Sequence, residues 1–355
     1  MNPPIPVSLI TGFLGSGKTT LINRLLKTGA FQNLALVINE FGDIGVDHLL
    51  VETADESIVE LSDGCLCCTI RGDLVDTLGR LLKRSPCPSR IIIETTGLAD
   101  PAPVLHAIMG HPVLSEQLRL DGVITVVDAV NGDKTLDQQE EAVKQIAVAD
   151  RLVLSKSDLV QNTKKLTHRL EGINPTARML IDPTDEDLVE NLFNCGLYDP
   201  ATKTADVANW LNLEAVKASK HDHHHHSVNR HDARIRAFTL ATDRAIDAAQ
   251  LTGFIDLLRA AHGPNLLRVK GIIKVKENPN CPVVIHGVQQ VFHPPATLPE
   301  WPDENEQTRL VLITRDLSEE YVGKLFKAFT GEVDVDTADH DAMISNPLSV
   351  PGKTF

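Results

Sequence analysis

The feature that most constrains the fold is a glycine-rich loop, G-F-L-G-S-G-K-T at residues 12–19, which lies between two patterned segments. The apolar run at 7–11 predicts a short buried strand, and apolar residues at helical spacing within 19–26 predict a helix. A strand, a loop and a helix in this order provide the structural context of the phosphate-binding motif G-x-x-x-x-G-K-[ST]. The sequence therefore predicts a nucleotide-binding domain.

Each part of this loop has a predicted role in binding a nucleoside triphosphate. Gly12 and Gly17 allow backbone N–H groups to approach phosphate oxygens at the positive end of the helix. Lys18 is expected to reach the β- and γ-phosphates, and Thr19 is expected to offer its hydroxyl to Mg²⁺. The other loop residues of the predicted nucleotide site are Gly15, Ser16 and Thr20.

Further apolar runs in the first half of the chain predict the fold class. They lie at 34–38, 90–93, 122–127, 151–154 and 178–181. Polar segments of helical length separate them, and this alternation is typical of an α/β domain with a mainly parallel sheet.

Two of these strand ends carry acids. Glu94, in E-T-T-G at 94–97, can hold a water of Mg²⁺, and Gly97 can direct its backbone N–H at the γ-phosphate. Asp128 competes with Glu94 for the metal side, or it serves instead as a helix N-cap, which is a frequent role of Asp.

The segment S-K-S-D at 155–158 follows another apolar run and predicts base recognition. The carboxylate of Asp158 can accept two hydrogen bonds from guanine, and the stem of Lys156 can pack along the ring. Adenine has no such pair of donors on that edge, so the segment favours GTP over ATP.

Three cysteines follow Gly64 in the sequence C-L-C-C, about halfway between the phosphate loop and Glu94. In an extended segment Cys65 and Cys67 lie on one face, and Gly64 permits a turn that brings in Cys68. Thiolates select zinc, copper(I) or related soft ions. The stretch between these two elements usually moves with the state of the γ-phosphate, so the sequence predicts a metal site under nucleotide control.

Other donors must complete such a site, because zinc takes about four ligands. The plausible helpers are Glu40, Asp43 and His48. The alternatives are that the cysteines form a redox pair, which would make the chain a thiol-based redox-responsive nucleotide switch, or that they are buried apolar residues.

A histidine-rich segment at 198–232 follows the predicted first domain, 1–197. Neutral imidazoles on such a segment can bind transition metals weakly, so we interpret it as an auxiliary metal-collecting linker rather than a merely solvated one. The candidate ligands in it are His223, His224, His225 and His226.

A smaller α+β domain is predicted at 233–332, and a loosely held tail at 333–355. Strand-like runs lie at 234–241, 266–275, 282–292 and 309–314, and helical patterns lie at 245–261 and 319–329.

Taken together, G-F-L-G-S-G-K-T-T at 12–20, N-E-F-G at 39–42, C-L-C-C at 65–68 and E-T-T-G at 94–97 resemble the CobW-like GTPases. S-K-S-D, the histidine-rich segment and R-V-K-G at 268–271 extend the resemblance into the second half. That family is related to the urease and hydrogenase nickel-insertion GTPases and is associated with delivery of zinc or cobalt. The resemblance implies a P-loop GTPase domain, a CobW-type C-terminal domain and metal binding at 65–68. Ser155 stands where many GTPases have Asn, which implies retained guanine preference with weaker base affinity.

The resemblance also implies an activity and partners. We expect hydrolysis of GTP to GDP and phosphate, and delivery of Zn²⁺, or alternatively Co²⁺ linked to cobalamin synthesis, to a metal-requiring client protein. A nucleotide- or metal-dependent homo-oligomer is a further expectation, and an ATP-dependent kinase or transferase is the remaining alternative. The formal charge of −14 argues against nucleic-acid and anionic-membrane partners, and no apolar run is long enough to cross a bilayer, so we expect a cytoplasmic protein.

Overall fold

Seven strands of the described residues pair in parallel and form the sheet that carries the phosphate loop. The computed structural model describes residues 3–39, 58–60, 69–193, 195 and 234–331. The strands are β1 (Ile5–Thr11), β2 (Leu34–Asn39), β3 (Ile58–Glu60), β4 (Arg90–Thr95), β5 (Leu118–Asp128), β6 (Arg151–Ser155) and β7 (Arg178–Ile181). Their spatial order is β3-β2-β4-β1-β5-β6-β7, so β1 lies at the centre and the order reverses direction there.

Helices cover both faces of this sheet and bury its apolar strands. They are α1 (Lys18–Lys27), α2 (Thr69–Leu81), α3 (Ala102–Gly110), α4 (Pro112–Gln117), α5 (Gly132–Gln138), α6 (Glu140–Ala147), α7 (Lys164–Ile173) and α8 (Asp185–Asn191). The predicted spacing holds in α1, where Leu21, Ile22 and Leu25 are buried. The α/β prediction is confirmed. Among the helices of the described residues, every one is too short or too polar to span a lipid bilayer.

The second sheet is antiparallel and has helices on one face, as an α+β domain requires. Its strands are β8 (Ile235–Thr242), β9 (Leu266–Ile273), β10 (Val283–Val288), β11 (Val291–Phe292), β12 (Ala296–Thr297) and β13 (Thr308–Arg315). The order is β11-β10-β9-β13-β8, and β12 pairs with β10. The covering helices are α9 (Ala248–His262) and α10 (Glu319–Thr330), which bury Phe254 and Phe326 against Phe238.

The single strand predicted at 282–292 is wrong. The run divides into β10 and β11, which form an antiparallel hairpin in which Gly287 pairs with Phe292. Gln289 adopts a φ of 52° in the connecting turn, a left-handed conformation that reverses the chain. Apolar residues on both sides of this turn made the run look continuous.

The other face of the second sheet packs directly against the first domain. Leu267 and Ile313 share an apolar cluster with Val143 and Ile146 of α6. The predicted boundaries at 197, 232 and 332 fall outside the described residues, so they stay predictions.

A buried charge cluster lies within this interface. Asp150, immediately before β6, accepts a hydrogen bond from Arg268 Nη2 at 2.7 Å, and Lys270 Nζ lies 2.7 Å from the same carboxylate. Burial raises the pKa of Asp150, but the charges of Arg268 and Lys270 outweigh burial and hold that pKa well below its usual range. Asp150 therefore carries its negative charge in the interface.

Candidate nucleotide site

The carboxyl edge of the parallel sheet brings together the predicted nucleotide-binding segments. Ile10 pairs with Glu94 on one side and with Ile124 on the other, and Asp128 pairs with Ser155. The ends of β1, β4, β5 and β6 therefore adjoin one another, although they are distant in sequence. This is the edge at which parallel α/β sheets bind ligands.

The phosphate loop has a backbone conformation that depends on glycine. Gly12 has a φ of 140°, and a Cβ atom there would lie 2.3 Å from the Val126 carbonyl oxygen. Gly17, with a φ of 95°, precedes α1, and no side chain caps the helix start. The uncapped N–H groups of α1 can therefore bind an anion.

The two charged or polar side chains that open α1 point to the loop and to β4. Lys18 Nζ donates to the Gly12 carbonyl oxygen at 3.0 Å, and Thr19 Oγ1 donates to Glu94 Oε1 at 3.3 Å. Glu94 is only 3% exposed. A hydroxyl beside a buried carboxylate provides the kind of oxygen donors that Mg²⁺ takes from proteins.

Gly97 lies directly against the phosphate loop. A Cβ atom at Gly97 would lie 2.5 Å from the Leu14 backbone nitrogen, so only glycine fits this close approach. The adjacent Thr96 hydroxyl and the Ser16 hydroxyl are buried and hydrogen-bond to no other group of the described residues. The loop after β4 and the phosphate loop thus form two walls of one polar site.

The segment at 155–158 is attached to the phosphate loop by hydrogen bonds. Ser155 Oγ donates to the Ser16 carbonyl oxygen at 2.7 Å, and Lys156 Nζ donates to the Gly15 carbonyl oxygen at 2.7 Å. Lys156 has a φ of 58°, which turns the chain into a 3₁₀ helix, Ser157–Leu159, that contains the exposed Asp158. Ser155 thus has a structural task that its place in the motif did not suggest.

Asp128 lies beside the segment at 155–158. Its Oδ2 accepts from Lys156 Nζ at 2.8 Å, and its Oδ1 accepts from the Val130 backbone N–H at 2.7 Å. Burial raises the pKa of Asp128, but hydrogen bonds from Lys156, Asn131 and Val130 outweigh burial and lower it. Asp128 therefore caps the turn that leads to α5, whose N-cap residue is Asn131, and orients Lys156.

Sequence reasoning missed Gln145. This residue of α6 is 1% exposed, and its Nε2 donates to the Gly97 carbonyl oxygen at 3.2 Å and to the Ala99 carbonyl oxygen at 3.0 Å. The only local signal was one polar residue on the apolar face of a helix.

The predicted transition-metal ligands lie outside the described residues: Glu40, Cys65, Cys67, Cys68, His223, His224, His225 and His226, together with the plausible helpers Asp43 and His48. Within the described ranges, no three histidine, cysteine or acidic side chains come together in a way that could hold a metal ion. The described cysteines are Cys87, Cys195 and Cys281, and all three are free thiols. Burial raises the pKa of the Cys195 thiol to about 12, which makes it unreactive.

Comparison with known proteins finds relatives over nearly the whole chain. The family described as CobW/HypB/UreG, nucleotide-binding domain, matches residues 6–181, and the cobalamin synthesis protein cobW C-terminal domain matches residues 235–330. Zinc chaperone YjiA of Escherichia coli is 32% identical over 330 residues, which are 92% of this chain and 98% of that protein. Zinc chaperone CobW of a Sinorhizobium species is 32% identical over 308 residues, which are 78% of this chain and 83% of that protein. The crystal structure of Zn(II)-bound YjiA GTPase from E. coli superimposes with a TM-score of 0.63 at 27% identity and covers 93% of this chain and 99% of that one.

Proposed function

The chain belongs to the CobW/HypB/UreG family and carries its CobW C-terminal domain, and from this premise we propose that it is a GTP-dependent metallochaperone. It hydrolyses GTP to GDP and phosphate and delivers a divalent transition metal, zinc, to a metal-requiring client protein. The observation that carries the proposal is the contact between Thr19 and Glu94 across the phosphate loop, because it assembles oxygen donors beside an anion-binding helix start.

The nucleotide half of the proposal assigns a task to each side chain. Lys18 exchanges its carbonyl partner for the β- and γ-phosphates, and the Gly97 backbone N–H meets the γ-phosphate. Thr19 and Glu94 would hold Mg²⁺, which when bound neutralises charge on the phosphates. The exposed carboxylate of Asp158 recognises guanine.

The position of β3 supports the part of the proposal that concerns metal binding. This strand ends at Glu60, and the chain then continues towards Cys65, Cys67 and Cys68. Glu60 pairs with Ile38, and Ile38 pairs with Glu94, so the β3 end lies two strands from Glu94, or roughly 10 Å. Glu60 therefore lies close to the nucleotide site, and it precedes Cys65 by five residues in the sequence. The names of the YjiA and CobW relatives favour zinc as the cargo.

Coupling between nucleotide binding and metal binding is reciprocal. If GTP tightens metal binding by some factor, the metal must tighten GTP binding by the same factor. Hydrolysis then weakens metal binding and releases the ion to the client.

Competitive metal titration tests this proposal. The affinities for Zn²⁺, Co²⁺ and Ni²⁺ are measured with a non-hydrolysable GTP analogue and Mg²⁺, and again with GDP. We expect tighter zinc binding in the triphosphate state and release of phosphate when GTP is supplied. Equal affinities in the two nucleotide states for every metal would contradict nucleotide-controlled delivery.

A pair of cysteine variants locates the metal site. Cys67→Ser should weaken zinc binding in the triphosphate state, because it removes one predicted thiolate. Cys87→Ser is the matched control, since Cys87 is an exposed free thiol that lies beyond α2, 19 residues after Cys68. Unchanged zinc affinity in Cys67→Ser would remove the cysteine segment from the proposal.

A further inference from the structure

The side chain of Gln145, on α6, is hydrogen-bonded to the loop that follows β4. Its side-chain Nε2 donates to the carbonyl oxygens of Gly97 and Ala99, at 3.2 and 3.0 Å. The Gln145 carbonyl oxygen accepts a hydrogen bond from Thr125 Oγ1 at 2.8 Å, which fixes the backbone of α6 to β5. A buried amide anchored in this way restricts the loop, because a carbonyl that loses its donor pays a desolvation penalty.

The same helix contacts the C-terminal domain. Glu140, in the first turn of α6, accepts a hydrogen bond from Arg315 Nη1 at the end of β13. Val143 and Ile146 pack in one apolar cluster with Ile313 of β13. The helix therefore contacts the loop after β4 with one side chain and the second sheet with several others.

Lys144 lies between these two sets of contacts. Its Nζ is 3.8 Å from Asp100 Oδ2, which belongs to the loop after β4, and 3.5 Å from Glu140 Oε1. A continuous chain of polar contacts thus runs from the loop after β4, through α6, to Arg315. Lys144 and Glu140, both on α6, link Asp100 to Arg315 in this chain of contacts.

We propose that Gln145 is a positioning residue that sets Gly97 for the γ-phosphate, and that α6 transmits the position of this loop to the C-terminal sheet. The inference rests on the proposed function, because it takes the Gly97 N–H as a γ-phosphate contact. Loss of the γ-phosphate frees the loop, which then shifts Gln145 or breaks its two hydrogen bonds. Packed interfaces respond to such shifts by switching between discrete arrangements.

The first test replaces the amide of Gln145 by a group of similar length without a donor, Gln145→Met. We expect affinity for a non-hydrolysable GTP analogue to fall about tenfold while GDP affinity changes less than about twofold, because only the triphosphate uses the positioned loop. Glu141→Gln, on the same helix, is the control and should leave both affinities unchanged. An equal loss for the two nucleotides, or no loss, would refute the positioning role.

The second test uses the wild-type chain and does not depend on the folding of any variant. Amide hydrogen exchange is compared with the GTP analogue and with GDP. Residues 97–100, 140–147 and 309–315 should gain protection together in the triphosphate state. Protection confined to 97–100 would overturn transmission through α6.

The failure of this inference is distinguishable from failure of the proposed function. If wild-type protein does not hydrolyse GTP, the proposed function falls and the role of Gln145 falls with it. If wild-type protein hydrolyses GTP and Gln145→Met keeps the wild-type ratio of analogue to GDP affinity, only the role of Gln145 is wrong.

Discussion

The carboxyl edge of the parallel sheet, which we call the nucleotide edge, and the domain interface differ in the partners of their cationic side chains. At the nucleotide edge, Lys18 donates to the backbone carbonyl oxygens of Gly12 and Phe13 in the phosphate loop. At the domain interface, Arg268 and Lys270 contact the carboxylate of Asp150, and all three side chains are 3% exposed. A cation on neutral carbonyls can exchange them for phosphate oxygens, whereas a cation paired with a buried carboxylate is fixed in place.

This difference separates binding from stability. Bringing a charge into a protein interior is costly, and the cost is offset only while its partner is present. Removing one charged partner at the interface should therefore lower the stability of the protein strongly. Removing a cation at the nucleotide edge should lower nucleotide affinity and leave the fold intact. Substitutions in each region test how far stability at the interface and affinity at the nucleotide edge can be changed independently.

The largest expected effect is that of Asp150→Asn. This change leaves Arg268 and Lys270 buried without their anion, so we expect the free energy of unfolding to fall by about 3–5 kcal/mol. Urea unfolding followed by circular dichroism measures it. Nucleotide affinity, measured at a temperature where the variant is folded, should stay within about twofold of wild type.

The control for this change is Asp133→Asn. Asp133 pairs with Lys165 and Arg169 at a partly exposed site, where water screens the charges, so its loss should cost less than the loss of the fully buried Asp150. If Asp150→Asn costs no more than Asp133→Asn, the interface cluster is not a stabilising element and the contrast between the two regions fails.

The second effect in size is that of Lys18→Ala on binding. We expect GTP affinity to fall about a hundredfold, because charge-assisted hydrogen bonds to phosphate are among the strongest that a protein makes. The free energy of unfolding should fall by only about 1 kcal/mol, because the hydrogen bonds to the Gly12 and Phe13 carbonyl oxygens join the cation to neutral groups. Fluorescent-nucleotide titration measures the first quantity and urea unfolding the second.

Lys83→Ala is the matched control, since it removes an exposed lysine after α2, away from the phosphate loop. A large stability loss in Lys18→Ala would show that the loop lysine holds the fold as well as the ligand, and the two regions would then differ less than proposed.

Sequence reasoning predicted the nucleotide edge better than the interface for a physical reason. The phosphate loop is local in sequence: its glycines, Lys18 and Thr19 lie within eight residues, so their spacing identifies the motif. Asp150 and Arg268 are 118 positions apart, and neither carries a signal that names the other. R-V-K-G at 268–271 contributes to the family resemblance, but its two cations do not indicate which buried acid they pair with.

The fold shows the same limit. Apolar periodicity predicted six of the seven described strands of the parallel sheet and helix α1, because a buried face repeats at a regular spacing along the sequence. It did not predict the three-residue strand β3. The strand order depends on long-range pairing, and the β10–β11 turn depends on the backbone conformation of Gln289, so neither followed from periodicity. Gln145 was missed because its partners are carbonyl oxygens 46 and 48 positions away, which no side-chain pattern reveals.

The smallest predicted effect tests whether Ser155 contributes to nucleotide binding or to stability. Ser155→Ala removes the hydrogen bond to the Ser16 carbonyl oxygen, which attaches the S-K-S-D segment to the phosphate loop. One neutral hydrogen bond contributes about 1 kcal/mol, so GTP and GDP affinities should both fall about fivefold, since both nucleotides carry the guanine. Ser115→Ala removes a comparable hydroxyl from exposed α4 and should change neither affinity. If Ser155→Ala instead lowers stability and leaves both affinities intact, Ser155 belongs with the structural contacts of Asp150 and not with the ligand-exchanging contacts of Lys18.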